Sequence, residues 1–183
     1  LEKIKKSIDF NKIELNILNP LESDFEVLKG VNNYKKLTHY HRLILPYLLP
    51  NEIERLLYLD CDIIVLKSLY NLFNTNLSSN NIVAAVRDQR VKAICDDWQA
   101  IENYNDFNLD PDKPYFNSGV LLMDLKKWKS ENISQKVVSI TQNNPLNVKW
   151  FDQYGLNVAL YDKWKVMDKR WNHFPTNQNQ EIS

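Results

Sequence analysis

The residue types best suited to chemistry lie in one short stretch, Leu57-Tyr58-Leu59-Asp60-Cys61-Asp62-Ile63-Ile64-Val65. Two carboxylates stand two positions apart between two apolar runs. In extended chain, residues i and i+2 point the same way, so Asp60 and Asp62 would aim at one point while Cys61 faces away. Carboxylates that close repel unless a cation lies between them. Oxygen donors suit a hard ion, Mg²⁺ or Mn²⁺, which also bridges to phosphates. The competing reading is a strand that simply ends in an acidic loop.

Three further stretches carry polar groups where a ligand could meet them. Tyr115-Phe116-Asn117-Ser118-Gly119 enters the apolar run Val120–Met123. Gly119 allows close backbone approach, and Asn117 offers a donor and an acceptor to a hydroxyl-rich ligand; a plain loop-to-strand turn is the alternative. Trp150-Phe151-Asp152-Gln153 opens a helical pattern. Asp152 reads there either as an N-cap or, with Gln153, as a reader of sugar hydroxyls with the aromatics on a ring face. His39 and Arg42 are three apart and would share a helix face, either clamping a diphosphate or lying solvated. Trp171-Asn172-His173 reads as a buried Trp with polar neighbours. With only three histidines and neither H-E-x-x-H nor G-x-S-x-G, zinc-protease and serine-hydrolase sites are not encoded.

These side chains must be positioned by elements the pattern also shows. Lys12–Leu18 alternates like a half-buried strand, and the residues before it read as part of a helix. Helical spacing runs from Tyr40 through Leu43, Ile44, Tyr47 and Leu48; Pro46 should kink that helix and Pro50 end it. Strands are expected at Arg55–Asp60, buried on both faces, and at Asp62–Leu66, Ile82–Val86, Gly119–Met123 and Lys165–Met167. A helix is expected over Val91–Ile101, a long amphipathic one after an N-cap at Asp124, and another after Asp152. Strands alternating with helices indicate one α/β domain over residues 1–183 with a mainly parallel sheet. In such sheets ligands gather beyond the carboxyl ends of the strands.

Composition narrows the function classes. The chain has 183 residues, 44% hydrophobic and 25% charged, ordinary values for a folded domain. Lys+Arg 23 against Asp+Glu 23 gives no net charge, which argues against gripping nucleic acid by its phosphates. Only three glycines, Gly30, Gly119 and Gly155, leave no G-x-G-x-x-G and no P-loop, so a nucleotide must be held by side chains or a metal. Two cysteines, Cys61 and Cys95, make no disulfide framework and favour a reducing compartment. No apolar run is long enough to cross a bilayer, so the expected setting is cytoplasmic.

Taken together, Tyr40-His-Arg42-Leu-Ile-Leu-Pro46, Arg55-Leu-Leu-Tyr-Leu-Asp60-Cys-Asp62-Ile-Ile-Val, Phe116-Asn117-Ser-Gly119-Val-Leu-Leu-Met-Asp124-Leu, Asp152-Gln153 with Leu156-Asn157, and Trp171-Asn172 resemble glycosyltransferase family 8. Order and spacing agree from about Thr38 to Phe174. The resemblance implies a GT-A-type, Rossmann-like fold with a mixed, mainly parallel sheet flanked by helices. It implies a metal-dependent retaining transferase that moves a hexose from a UDP-sugar to a glycan or glycolipid such as lipopolysaccharide. Asp60 and Asp62 would hold Mn²⁺ (or Mg²⁺) bridging the donor diphosphate, with Asp60 also near the ribose, and Arg42 would lie by the nucleotide. Asp88, Asn117, Asp152 and Gln153 would reach the transferred sugar, Asp152 and Gln153 as catalytic residues, Gln153 on the face where a nucleophile is sought. No nucleic-acid partner is implied; a peripheral position at the inner membrane face and the oligomeric state stay open. The chain carries neither that family's opening A-x-D-x-x-Y-type stretch nor its late H-x-x-G-x-x-K-P-W segment, so the expected domain lacks its first strand and C-terminal segment. The alternatives are a GT-A-like remnant that binds without catalysing, and a phosphohydrolase built on Asp60 and Asp62.

Overall fold

The computed structural model describes residues 14–29, 38–96 and 100–174. After short 3-10 turns at Glu22–Leu28 and Thr38–Leu43 come helix α1 (Leu45–Leu48), strand β1 (Arg55–Leu59), helix α2 (Tyr70–Phe73) and strand β2 (Val83–Arg87). A 3-10 turn, Tyr104–Phe107, precedes strand β3 (Phe116–Asp124). Helices α3 (Leu125–Ser130), α4 (Ile133–Asn143) and α5 (Phe151–Ala159), strand β4 (Trp164–Met167) and a last 3-10 turn, Lys169–Trp171, follow.

The apolar run Val120–Met123 takes the middle of the sheet, whose order is β1-β3-β2-β4. Its side chains alternate between two cores. Leu121 and Met123 join Val83 and Ala85 under α3, α4 and α5, with Trp128, Val137 and Leu156. Val120 and Leu122 join Ala84, Val86, Leu72 and Met167 on the opposite face. A strand covered on both sides can afford no polar side chain over that run, which is why four consecutive apolar residues encode it. The α/β layering is therefore as expected. Among the described strands, however, β1 and β2 both run antiparallel to β3, and only β2 with β4 is parallel. The sheet is mixed, without the expected parallel majority.

Other expectations fail for local reasons. Asp62–Leu66 forms no strand: the chain turns at Asp60, whose carbonyl accepts from the Ile63 amide at 3.2 Å, and Ile64 and Leu66 are each 81% exposed. β1 is half-buried along its length rather than covered on both faces. Pro46 is the second residue of α1, where its missing N–H costs nothing, so it starts a helix instead of kinking one. Val91–Ile101 is not helical where described. Val91, Ile94 and Ile101 pack into a third apolar cluster with Tyr115 and Tyr154 on irregular backbone, held by Ala93 bridging to Pro114. Asp124 does cap α3, accepting from the Lys127 amide at 2.9 Å. The long amphipathic helix breaks at Asn132, which adopts the left-handed conformation (φ 53°), yet α3 and α4 keep one buried face. Of the strand expected over 12–18, residues 12 and 13 lie outside the described residues, as do the opening helical pattern and Gly30, and 14–18 have no regular structure. Cys61 and Cys95 are free and exposed.

Candidate active site

The pairing of β2 with β3 carries an irregularity that positions the site. Ala85 faces Leu121, but the next residue, Val86, faces Asn117. Ser118, Gly119 and Val120 are thus left out of that ladder, and a bulge of this kind re-aims the side chains around it. On the other side β3 stays paired with β1, and the Asp60 amide donates to the Gly119 carbonyl at 2.9 Å. Gly119 is where the elements meet. A Cβ there would lie 3.0 Å from Asn117 Oδ1 and 3.1 Å from Asp60 Oδ2, so the missing side chain lets both polar groups close on one backbone point.

Around this point lie two groups of polar side chains. The first is ionic. Arg42, 4% exposed, places its guanidinium 4.6 Å over the Tyr58 ring. One terminal nitrogen donates to the Ser118 carbonyl and the other pairs with Asp60 Oδ1 at 3.1 Å. Its Nε donates to the His39 carbonyl at 3.1 Å while lying 2.8 Å from Asp152 Oδ2. That second contact is an ion pair without a directed hydrogen bond, and among the described residues Asp152 Oδ2 accepts none. Asp152 is 2% exposed, and desolvation pushes its carboxyl up to about 7; Arg42 opposes the rise and Asp60 adds to it. The Tyr58 hydroxyl donates to Asp60 Oδ1 at 2.6 Å, leaving Asp60 Oδ2 without a hydrogen bond among the described residues.

The second group gathers neutral donors around one carboxylate. Asp88 Oδ1 accepts from the Arg90 and Val91 amides at 2.8 and 3.1 Å. Its Oδ2 accepts from Asn117 Nδ2 at 3.1 Å and from Gln153 Nε2 at 3.2 Å. Gln153 Oε1 in turn accepts from the Ser118 amide and hydroxyl at 2.8 and 3.2 Å. Asn157 anchors the base of this group, exchanging bonds with the Phe116 backbone and donating to the Gln153 carbonyl at 2.9 Å. A groove opens over it, lined by Asp88, Arg90, Val91, Asn117, Trp150, Gln153 and Phe174.

Of the sequence-expected residues, Asp60 and Asp152 therefore meet on Arg42, and Asp88, Asn117 and Gln153 meet one another beside them. Asp62 is set apart, exposed in the turn after Asp60. The extended geometry expected for the carboxylate pair is replaced by that turn. His39 and Arg42 form no joint clamp: Arg42 faces inward, and the exposed His39 ring lies on Phe151, centroids 4.6 Å apart and 7° from parallel. Asp152 is the second residue of α5 and an ion-pair partner, not its cap. Trp171 is half-buried, His173 exposed. Ser118, Tyr58 and Asn157 were not singled out from sequence. Tyr58 was legible, being two residues before Asp60 on one strand face; Ser118 was not, because it acts largely through its backbone.

Asp60 and Asp62 share one turn, and oxygen donors of this kind suit a hard divalent ion. Among the described residues no group of three or more His, Cys, Asp or Glu is gathered as a metal site would need. Among the same residues no helix is long and apolar enough to cross a membrane.

The domain is α/β layered, and an acidic turn after β1 lies beside a network of carboxamides around Asp88. Comparison with known proteins gives the family. Glycosyl transferase family 8 matches residues 2–183, and the chain belongs to that family. General stress protein A of Bacillus subtilis is 29% identical over 90% of this chain and 52% of its own length. Lipopolysaccharide 1,3-galactosyltransferase of Salmonella typhimurium is 29% identical over 81% and 44%. The crystal structure of the galactosyltransferase LgtC with donor and acceptor sugar analogues superposes with a TM-score of 0.62 and 28% identity, covering 81% of this chain and 50% of that one. The fold is that of the GT-A glycosyltransferases, in part: the chain spans about half the length of the curated relatives it matches.

Proposed function

We propose that this domain belongs to a metal-dependent retaining glycosyltransferase that moves a hexose from a UDP-sugar to a glycan or glycolipid acceptor, of which lipopolysaccharide is one kind. The observation that carries this reading is the meeting at Gly119 of the Asp60 carboxylate and the Asn117 carboxamide, 3.1 and 3.0 Å from one Cβ position. A diphosphate held at the first sets its sugar against the second. Asp60 and Asp62 would hold Mn²⁺ or Mg²⁺, which supplies Lewis-acid stabilisation of charge on the leaving diphosphate.

Asp88, Asn117 and Gln153 bind and orient the sugar. Each of the two carboxamides sends an N–H to Asp88, and both line the groove in which sugar hydroxyls would lie. Arg42 acts on the donor through the two carboxylates it holds. Gln153 is a weak nucleophile: it is neutral, and its oxygen already accepts two hydrogen bonds. That favours departure and attack on one face. The bond from the anomeric carbon to the diphosphate oxygen breaks, the bond to the acceptor oxygen forms, and the acceptor proton passes to the leaving diphosphate. Configuration is kept.

The test is release of UDP from UDP-glucose and UDP-galactose by the protein at full length, with and without Mn²⁺. Mn²⁺-dependent release that Asp60→Ala with Asp62→Ala abolishes supports the reading. Release that survives the double substitution overturns the metal assignment, and none from either donor overturns the choice of donor.

A further inference from the structure

Neither the acidic turn nor the sugar-facing triad explains why residue 172, far along the chain, is buried against them. Asn172 is 5% exposed, closes the last 3-10 turn with its amide on the Lys169 carbonyl at 3.3 Å, and makes two further bonds toward the site. Its carbonyl accepts from Gln89 Nε2 at 2.9 Å, next to Asp88 in sequence. Its Nδ2 donates to Asn117 Oδ1 at 2.7 Å. Asn117 Oδ1 also accepts from the Gly119 amide at 2.9 Å.

A carboxamide can turn over at almost no cost in shape, exchanging its oxygen for its NH₂. What prevents this in Asn117 is the set of groups around it. Two donors, Gly119 N–H and Asn172 Nδ2–H, converge on its oxygen, and one acceptor, Asp88 Oδ2, takes its NH₂. A turned carboxamide would set its oxygen against the Asp88 carboxylate and its NH₂ against two donors.

We propose that Asn172 is a positioning residue that fixes the direction of the Asn117 carboxamide and so keeps N–H groups, rather than an oxygen, facing the sugar. It touches no reacting atom; it acts through Asn117. The proposal rests on the transferase reading for its consequence, but not for its geometry. Network polarity runs one way, from Asn172 to Asn117 to Asp88, with Gln153 entering from the other side. The segment carrying Asn172 thereby closes the site, and Arg90 packed 5.1 Å from the Phe174 ring holds the same segment down.

Two substitutions separate orientation from bulk. Asn172→Asp keeps the shape and replaces the donor by an acceptor, which sets a carboxylate oxygen against the acceptor Asn117 Oδ1 and drives the carboxamide over. Asn172→Ala removes more atoms but leaves Gly119 N–H and Asp88 to hold Asn117 as it is. Orientation control therefore predicts that Asp is the worse substitution, with UDP-sugar turnover falling about tenfold or more in kcat and less in KM, and Ala the milder. A merely space-filling role predicts the reverse order.

A second readout needs no substrate. The side-chain NH₂ resonances of Asn117 in the ¹⁵N-labelled protein should move in Asn172→Asp and hold near their native positions in Asn172→Ala. Unmoved resonances in Asn172→Asp, or a greater loss of kcat in Asn172→Ala, would overturn the inference. Moved resonances in a protein that turns over no sugar nucleotide would uphold it and count against the transferase reading alone.

Discussion

The two polar groups on either side of Gly119 are built on opposite principles. Around Arg42, one buried cation holds two carboxylates, one contact is not a directed hydrogen bond, and Asp152 is left with an oxygen that accepts none among the described residues. Around Asp88, every strong acceptor is matched by a donor, and one buried carboxylate accepts four bonds from neutral groups. The first arrangement is sensitive to charge and the second to direction. A buried ion pair recovers its desolvation only while both partners remain, whereas a carboxylate held by several neutral donors loses a bond at a time. On the proposed reading, a site that holds a diphosphate on one side and reads hydroxyls on the other would use that contrast.

The contrast is broken most severely at Arg42. Arg42→Met leaves Asp152 buried without its cation, and the expected loss is about 3–5 kcal/mol in denaturant unfolding, with Asp152 protonated at neutral pH. A loss below about 1 kcal/mol would mean the ionic group is not held by this pair. Gly119→Ala presses on both groups at once, because its methyl meets polar atoms at 3.0 and 3.1 Å. A cost of about 1–3 kcal/mol is expected, measured the same way, together with weaker binding of UDP and Mn²⁺.

Asp152 sharpens the comparison through pH. Its folded carboxyl titrates at about 7 against an ordinary 3.8, so between those values the folded protein binds a proton that the unfolded chain has released. Stability from this group is complete below 3.8 and is lost as pH rises through about 7. Unfolding followed from about pH 5 to about pH 8 should show the wild type losing stability relative to Asp152→Asn. Parallel curves would show that Asp152 titrates normally. Tyr58→Phe is the mildest change, removing one hydroxyl from Asp60 Oδ1. About 1 kcal/mol is expected, and no change in the order of the other effects.

Much of this was legible in the chain. The buried run Val120–Met123, the cap at Asp124 and the close approach at Gly119 follow from residue type alone. The family resemblance brought Asp60, Asp88, Asn117, Asp152 and Gln153 together before any coordinates did. What the sequence hid was direction. The apolar run Ile63-Ile64-Val65-Leu66 reads as a strand, but a turn at Asp60 leaves Ile64 and Leu66 exposed, and the run carries no record of whether a partner strand exists. Val91, Ile94 and Ile101 keep helical spacing while packing from irregular backbone. Arg42 reads as a surface clamp in a polar stretch, and only its burial against Asp60 and Asp152 shows it facing inward.

The central claim is that a nucleoside diphosphate is held through a divalent ion on Asp60 and Asp62. Its most direct test is the thermal midpoint of the protein at full length with UDP, with and without Mn²⁺. A ligand taken only by the folded state stabilises it by about 2.7 kcal/mol at a hundredfold excess over Kd. A raised midpoint is expected when both are present, and no rise with UDP alone. A cooperative melt that neither UDP nor the pair displaces would contradict it.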